Sequence, residues 1–415
     1  MEGVGERLEM EIEHYTLKNG IRVVHKPDSS PVSYCGIAIN AGTRDEKEEE
    51  SGMAHFIEHM LFKGTAKRKA WHILNRLEDV GGELNAYTTK EETFVYATVL
   101  SADFERAMEL CADVVFHSTF PQSEIDKEVD VIIDEINSYN DSPSELIFDD
   151  FEGMIFQNYS IGRNILGDAE RLQTYTTRDA LRFVNRNYCT DQIVFFSLSS
   201  ISFKKITQWA EKYLGEIPES LLQTKRIVPE IYIPQRKIVE KDTYQAHVML
   251  GNRAYSLPDK NRLAFYLLNN VLGGPGMNSR LNLTLRERNG LAYNVESSYT
   301  SYSDTGLLFI YFGTDVKNED KCCNLIFKEL KKLRDQKFTS IQLMKAKKQL
   351  LGQLAISQEN KESLSLNLGK SFLYFNRFES LAEIHKRVEM ITAEQLQDIA
   401  NEILDECKIS ILSFR

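Results

Sequence analysis

The sequence predicts an α+β protein of two similar domains, each a mainly antiparallel sheet covered by helices. Three observations predict it. A chain of 415 residues is longer than one hydrophobic core ordinarily serves. A polar stretch over 217–235, carrying Pro218, Pro229 and Pro234, divides the chain as a linker would. On each side of it, two adjacent strands are followed by a helix, over 83–116 and again over 293–333, the order expected of a duplicated α+β unit. The expected domains are 1–216 and 236–415, with 217–235 between them.

The elements follow in order. Residues 14–17 and 21–24 flank Asn19-Gly20, a strong hairpin signal. Residues 34–41 continue in β-prone residues. A short apolar helix surrounds 55–62, and an amphipathic helix over 70–80 ends at Gly81-Gly82. Residues 83–89 and 93–100 read as paired strands, and 102–116 and 122–140 as helices. Beyond a helix-rich stretch, 193–198 reads as a strand and 203–214 as a helix. After the linker, strands are expected over 237–242 and 246–252 and a helix over 261–272. Paired strands over 296–301 and 306–312 and helices over 319–334 and 340–358 complete the reading.

Composition narrows the function. A net charge of −11 argues against a nucleic-acid partner, which favours a basic surface. The six cysteines, Cys35, Cys111, Cys189, Cys322, Cys323 and Cys407, show no CxxC spacing and read as small buried residues. Residues 1–13 are acidic and lack the apolar core of a secretory signal, and no apolar run reaches membrane-spanning length. The expected compartment is the cytoplasm.

The chemistry concentrates in His55-Phe56-Ile57-Glu58-His59. On a helix, positions i and i+4 lie one above the other, so His55 and His59 can grip one ion. Glu58 lies one turn from His55, beside water on that ion. Two histidines and a carboxylate suit catalytic zinc, which keeps one coordination position open. The His-x-x-Glu-His order inverts the commoner zinc-peptidase motif and is a signature in its own right. A third protein ligand is required. Glu135 is the best candidate, with Glu128 two turns earlier on the same face, but spacing alone does not choose among Glu124, Glu128, Asp134 and Glu135.

Several ordered segments carry a family resemblance. They are 17–23, 52–65 around the histidine motif, 81–88 (Gly-Gly-Glu-Leu-Asn-Ala-Tyr-Thr), the Glu135 segment, 272–281 with its glycine-rich loop, and 286–293 from Arg286 to Tyr293. The chain resembles the pitrilysin and mitochondrial-processing-peptidase family of inverted zinc peptidases, in particular its short bacterial members, over nearly its whole length. The resemblance implies a duplication of the LuxS/metallohydrolase-like kind and one zinc per chain, held by His55, His59 and Glu135, with Glu128 behind a histidine. It implies that Glu58 is the general base, that Tyr293 donates to the oxyanion and that Arg286 holds a substrate carbonyl. Asn85 and Ala86, on an edge strand, would flank the scissile bond of an extended peptide.

The expected function is therefore a zinc-dependent endopeptidase acting on unfolded or presequence-like polypeptides within a closed chamber. A homodimer is expected, or a heterodimer with a related subunit, in which zinc and the Arg286–Tyr293 pair of one site come from different chains. The alternative is a non-catalytic structural or partner subunit of a peptidase complex. Intact motif residues weigh against it.

Overall fold

A computed structural model describes residues 12–241 and 243–415. Most of the acidic N-terminal stretch and Asp242, the last residue of the strand expected over 237–242, lie outside the described residues. The first half runs β1 (Glu13–Thr16), β2 (Arg22–Pro27), β3 (Val32–Ile39), α1 (Met53–Met60), α2 (Ala70–Glu78), β4 (Glu83–Thr88) and β5 (Thr93–Leu100). It continues with α3 (Phe104–Phe116), α4 (Gln122–Asn140), α5 (Pro143–Ile155), α6 (Ala169–Leu172), α7 (Thr177–Asn187), β6 (Ile193–Ser199) and α8 (Phe203–Leu214). The second half runs β7 (Arg236–Val239), β8 (Ala246–Ala254), α9 (Arg262–Gly273), a π-helical turn at Asn282–Glu287, β9 (Ala292–Ser301) and β10 (Gly306–Thr314). It ends with α10 (Glu319–Asp335), α11 (Ser340–Ser357), α12 (Lys361–Phe375), α13 (Leu381–Met390), α14 (Ala393–Ile403) and β11 (Ser410–Phe414).

The described strands form two sheets, ordered β1-β2-β6-β3-β5-β4 and β7-β11-β8-β10-β9. Apart from β1, the two orders are the same when β2 to β6 are matched with β7 to β11. Direction agrees as well: β2–β6 and β7–β11 are the parallel pairs, and the other pairs are antiparallel. The duplication expected from the sequence is thus a repeated topology. The Asn19-Gly20 hairpin forms as expected, with His14 opposite Val24 and Gly20 at φ +94°.

Packing groups the chain into two units. One holds the residues up to Ile133 with Ile165–Arg226 and Ser357–Glu379; the other holds Asp134–Asn164, Ile227–Ile356 and Ser380–Arg415. The grouping departs from the contiguous stretches 1–216 and 236–415 at two helices. Helix α12, from the second half, lies on β6, β3 and β2, and buries Leu368, Phe372 and Leu373 against Val24, Ala38, Val194 and Phe196. Gly369 permits this approach, because a Cβ there would stand 2.6 Å from the Phe196 ring. Helix α5, from the first half, lies on β8 and β11 and buries Leu146, Ile147 and Phe151 among Met249, Leu412 and Phe414. An apolar helix face records that a sheet must cover it, not which sheet. The break at Ile133 falls inside α4, which is one continuous helix.

Smaller differences also emerge. Five cysteines are buried as expected, but Cys407 is exposed in the turn before β11, and all six are free thiols. Strand β9 begins at Ala292 rather than 296, which places Tyr293 on a strand. No helix among the described residues is long and apolar enough to cross a membrane.

Candidate metal centre

Helix α1 forms because its apolar side chains have a core to enter. Met53, Ala54, Phe56, Ile57 and Met60 are fully buried, with His55 and His59 on the remaining side. Its start is unusual. Gly52 sits at φ +83°, and a Cβ there would meet the Leu166 carbonyl oxygen at 2.7 Å, so only glycine fits. The amides of Gly52 and Ala54 donate to Oε2 and Oε1 of Glu46 at 3.0 and 2.9 Å. A buried carboxylate thus satisfies amides at the helix start that have no partner within the helix, and opposes the positive end of the helix dipole.

The two imidazoles lie with ring centroids 4.7 Å apart. Burial, with the charge of His59 adding to it, pushes His55 down to about 4, so its ring is neutral near pH 7 and offers a lone pair. Helix α4 supplies the carboxylates. Ile125, Glu128, Val129 and Ile132 form its buried stripe, and Glu135 follows Glu128 by two turns. Ligand atoms of His55, His59 and Glu135 all lie within 4.8 Å of one another. Of the carboxylates left open by spacing, Glu135 is the one in this group. Glu128 instead stands 2.9 Å from His59 Nδ1 through Oε1, while its Oε2 meets Lys63 Nζ at 2.5 Å. Burial would raise the Glu128 carboxyl, but its bonds to His59 and Lys63 outweigh this and hold it below the usual carboxylate range. Ionised, Glu128 can only accept, so His59 Nδ1 donates and its Nε2 keeps the lone pair that an ion would take.

This donor set fits zinc. It offers two imidazole nitrogens, one with its tautomer fixed by a carboxylate, and one carboxylate oxygen, which leaves a tetrahedral ion one open position. Glu58 sits half-buried on the same helix. Helix α1 packs on β4, which among the described residues pairs only with β5 and forms the edge of its sheet. Asn85 on this strand is exposed, Ala86 is partly covered, and they pair with Tyr96 and Val95.

Arg286 and Tyr293 also come together. The Arg286 guanidinium stands 5.0 Å from the centre of the Tyr293 ring, and that side chain is 83% exposed. Both line a cleft of about 370 Å³ with Gly273, Gly274, Gly276 and Glu296, so the glycine-rich loop borders this pair.

Sequence reasoning missed Glu46 and Lys63. Glu46 lies outside the local spacing of a capping box, and nothing in the run from Asp45 to Glu50 separates it from its acidic neighbours. Lys63 had a findable signal, since it lies four residues beyond His59, but no local pattern pairs it with a carboxylate on another helix.

Known proteins share this organisation. Residues 22–169 match the family described as insulinase (peptidase family M16), and residues 174–350 match the peptidase M16 inactive domain. The chain is 34% identical to an uncharacterized zinc protease of Bacillus subtilis, YmxG, over 95% of this chain and 96% of that one. It is 32% identical to an uncharacterized zinc protease of Rickettsia felis, again over 95% and 96%. A protease from Helicobacter pylori shares the fold, with a TM-score of 0.90 at 21% identity over 98% of this chain and 99% of that one. The peptidase M16 inactive domain from Pseudomonas fluorescens does so equally, at 0.90 and 21%, over 97% and 98%. The chain therefore belongs to peptidase family M16, the pitrilysin and processing-peptidase family that its motifs resemble.

Proposed function

We propose that this chain is a zinc-dependent endopeptidase that cuts extended, unfolded or presequence-like polypeptides inside a closed chamber. The observation that carries the proposal is the convergence of His55, His59 and Glu135, with Glu128 on the rear nitrogen of His59. These residues would hold one ion per chain. Zinc, when bound, supplies a Lewis acid that makes water nucleophilic near neutral pH. Glu58 accepts the proton of the attacking water and returns it to the leaving amine. The Tyr293 hydroxyl donates to the developing oxyanion, and Arg286 binds a substrate carbonyl. The free edge of β4 supplies backbone partners around Asn85 and Ala86, which grip a peptide without reading its sequence. Free cysteines support a reducing compartment, the cytoplasm. A homodimer, or a pairing with a related subunit, is part of the same proposal.

Hydrolysis of a quenched peptide library, measured beside Glu58→Gln and with elemental analysis of bound metal, tests this reading. Cleavage that disappears in the variant, with about one zinc per chain kept in both proteins, is the expected result. A chain that neither binds zinc nor cleaves would be the non-catalytic subunit instead.

A further inference from the structure

We infer that Lys63 is a positioning residue for the metal centre, acting through Glu128. The inference rests on the zinc reading of His55, His59 and Glu135. Glu128 is a buried carboxylate with two oxygens and two uses. Oε1 faces His59 Nδ1 at 2.9 Å and Oε2 faces Lys63 Nζ at 2.5 Å. With a single partner, the carboxylate is free to turn about its last torsion, which is broad for glutamate. With both oxygens engaged it is fixed, and the His59 ring is fixed with it.

The backbone around Lys63 makes it a defined anchor rather than a waving surface cation. The Lys63 amide donates to the Met60 carbonyl at 3.1 Å, which ties it to the end of α1. Gly64 follows at φ +150°, a conformation that favours glycine. Thr65 donates through Oγ1 to the buried Asp113 at 2.8 Å, and Arg68 holds the same carboxylate oxygen at 2.5 Å. The chain is therefore pinned on both sides of Lys63, and the side chain is about one-third exposed at 31%.

The ammonium has a second effect. Glu128 lies on the same face of α4 as Glu135 and touches a metal ligand. A carboxylate there with an idle oxygen can turn away from His59 Nδ1 and compete with that histidine for the ion, exchanging an oriented imidazole for a poorer ligand and weakening the site. Pairing with Lys63 occupies that oxygen. Lys63 thus keeps Glu128 behind the histidine and out of the ligand set.

Zinc dissociation constants, measured on metal-free protein by competition with a chromophoric chelator, test the inference without relying on turnover. Lys63→Met is expected to weaken zinc binding by about tenfold, the lower end for loss of a group that orients a ligand. Lys63→Arg, which keeps the ion pair, is expected to stay within about threefold of the parent. Glu128→Gln combined with Lys63→Met is expected to bind no more weakly than Glu128→Gln alone, because Lys63 acts through Glu128. A purely structural lysine would lower the unfolding temperature of the metal-free protein and leave these constants unmoved. Parent-like zinc binding in Lys63→Met, or fully additive effects in the double variant, would overturn the inference. Zinc binding by the parent that survives His55→Ala would instead overturn the metal site itself.

Discussion

Glu46 should hold up the helix that carries His55 and His59, and Glu46→Gln tests that role. The substitution keeps the side chain's size, so no cavity opens. It removes the charge and replaces one of two oxygens that accept from the Gly52 and Ala54 amides at 3.0 and 2.9 Å. Glu46 is 5% exposed, so the abandoned amide finds little water. An unsatisfied buried donor costs about 2 kcal/mol. Losing the negative charge at the helix N-terminus costs about 1 kcal/mol more. The sum is about 3 kcal/mol, and at about 2–4 °C per kcal/mol for a domain of this class the melting temperature should fall by about 6–12 °C. Differential scanning calorimetry on the metal-free protein measures it directly. A fall of under about 1 °C would refute the reasoning, for it would mean that the amides find other partners and the carboxylate is dispensable.

Two further outcomes are expected. His25 is buried against Ser197 and Phe203, and burial pushes its imidazole down to about 4, against about 6.5 in the unfolded chain. Between those values the unfolded chain binds the proton and the folded one does not, so His25 contributes stability that is full above pH 6.5 and is lost as pH falls toward 4. Urea unfolding of metal-free protein at pH 7.5 and 5 should show His25→Gln removing a pH-dependent part of about 2 kcal/mol, and superposed pH slopes for parent and variant would count against it. If zinc and the Arg286–Tyr293 pair of one site come from different chains of a homodimer, mixing inactive Glu58→Gln and Tyr293→Phe proteins should restore about one quarter of parental activity. Random pairing makes half the dimers mixed, each with one intact site of two. Sites built within one chain would give no recovery.

Much of the fold was legible because its signals are local. Asn19-Gly20 makes a tight turn whatever surrounds it, and the strand pairs over β4–β5 and β9–β10 show their apolar content within a few residues. The paired histidines of α1 were legible for the same reason, since i and i+4 on one helix need no tertiary knowledge. What stayed hidden depends on distance along the chain. The stretch over 359–415 yielded no elements in sequence, yet it contains α12, which covers the first sheet, and β11, a central strand of the second. Strand β11 is short and finds both neighbours far back in the sequence, so it has no turn signal to announce it. The choice of Glu135 over Glu124, Glu128 and Asp134 was likewise invisible to spacing, because it depends on how α4 lies against α1.

The repeated topology shows that the candidate ion ligands belong to one copy. In each copy the helix after the second matched strand packs on the edge strand of its sheet: α1 on β4, and α9 on β9. In the first copy that helix presents His55 and His59. In the second, α9 reads Arg-Leu-Ala-Phe-Tyr-Leu-Leu-Asn-Asn-Val-Leu-Gly and contains no histidine, cysteine or carboxylate. Asn269 there donates to the Ser297 carbonyl at 3.1 Å, so the polar position is used to fasten the helix to its strand. The counterpart of the carboxylate helix lacks carboxylates as well, since α11, which follows β10 and α10 as α4 follows β5 and α3, carries neither aspartate nor glutamate. Restoring two histidines to α9 would therefore still leave a site short of its third ligand. The second copy keeps the scaffold, and its Arg286–Tyr293 cleft lies where its π-helical turn meets β9. One copy carries the candidate donors for an ion and the other offers hydrogen-bond donors at an open cleft. The proposed reaction needs such a division, with one half activating water and the other holding the peptide.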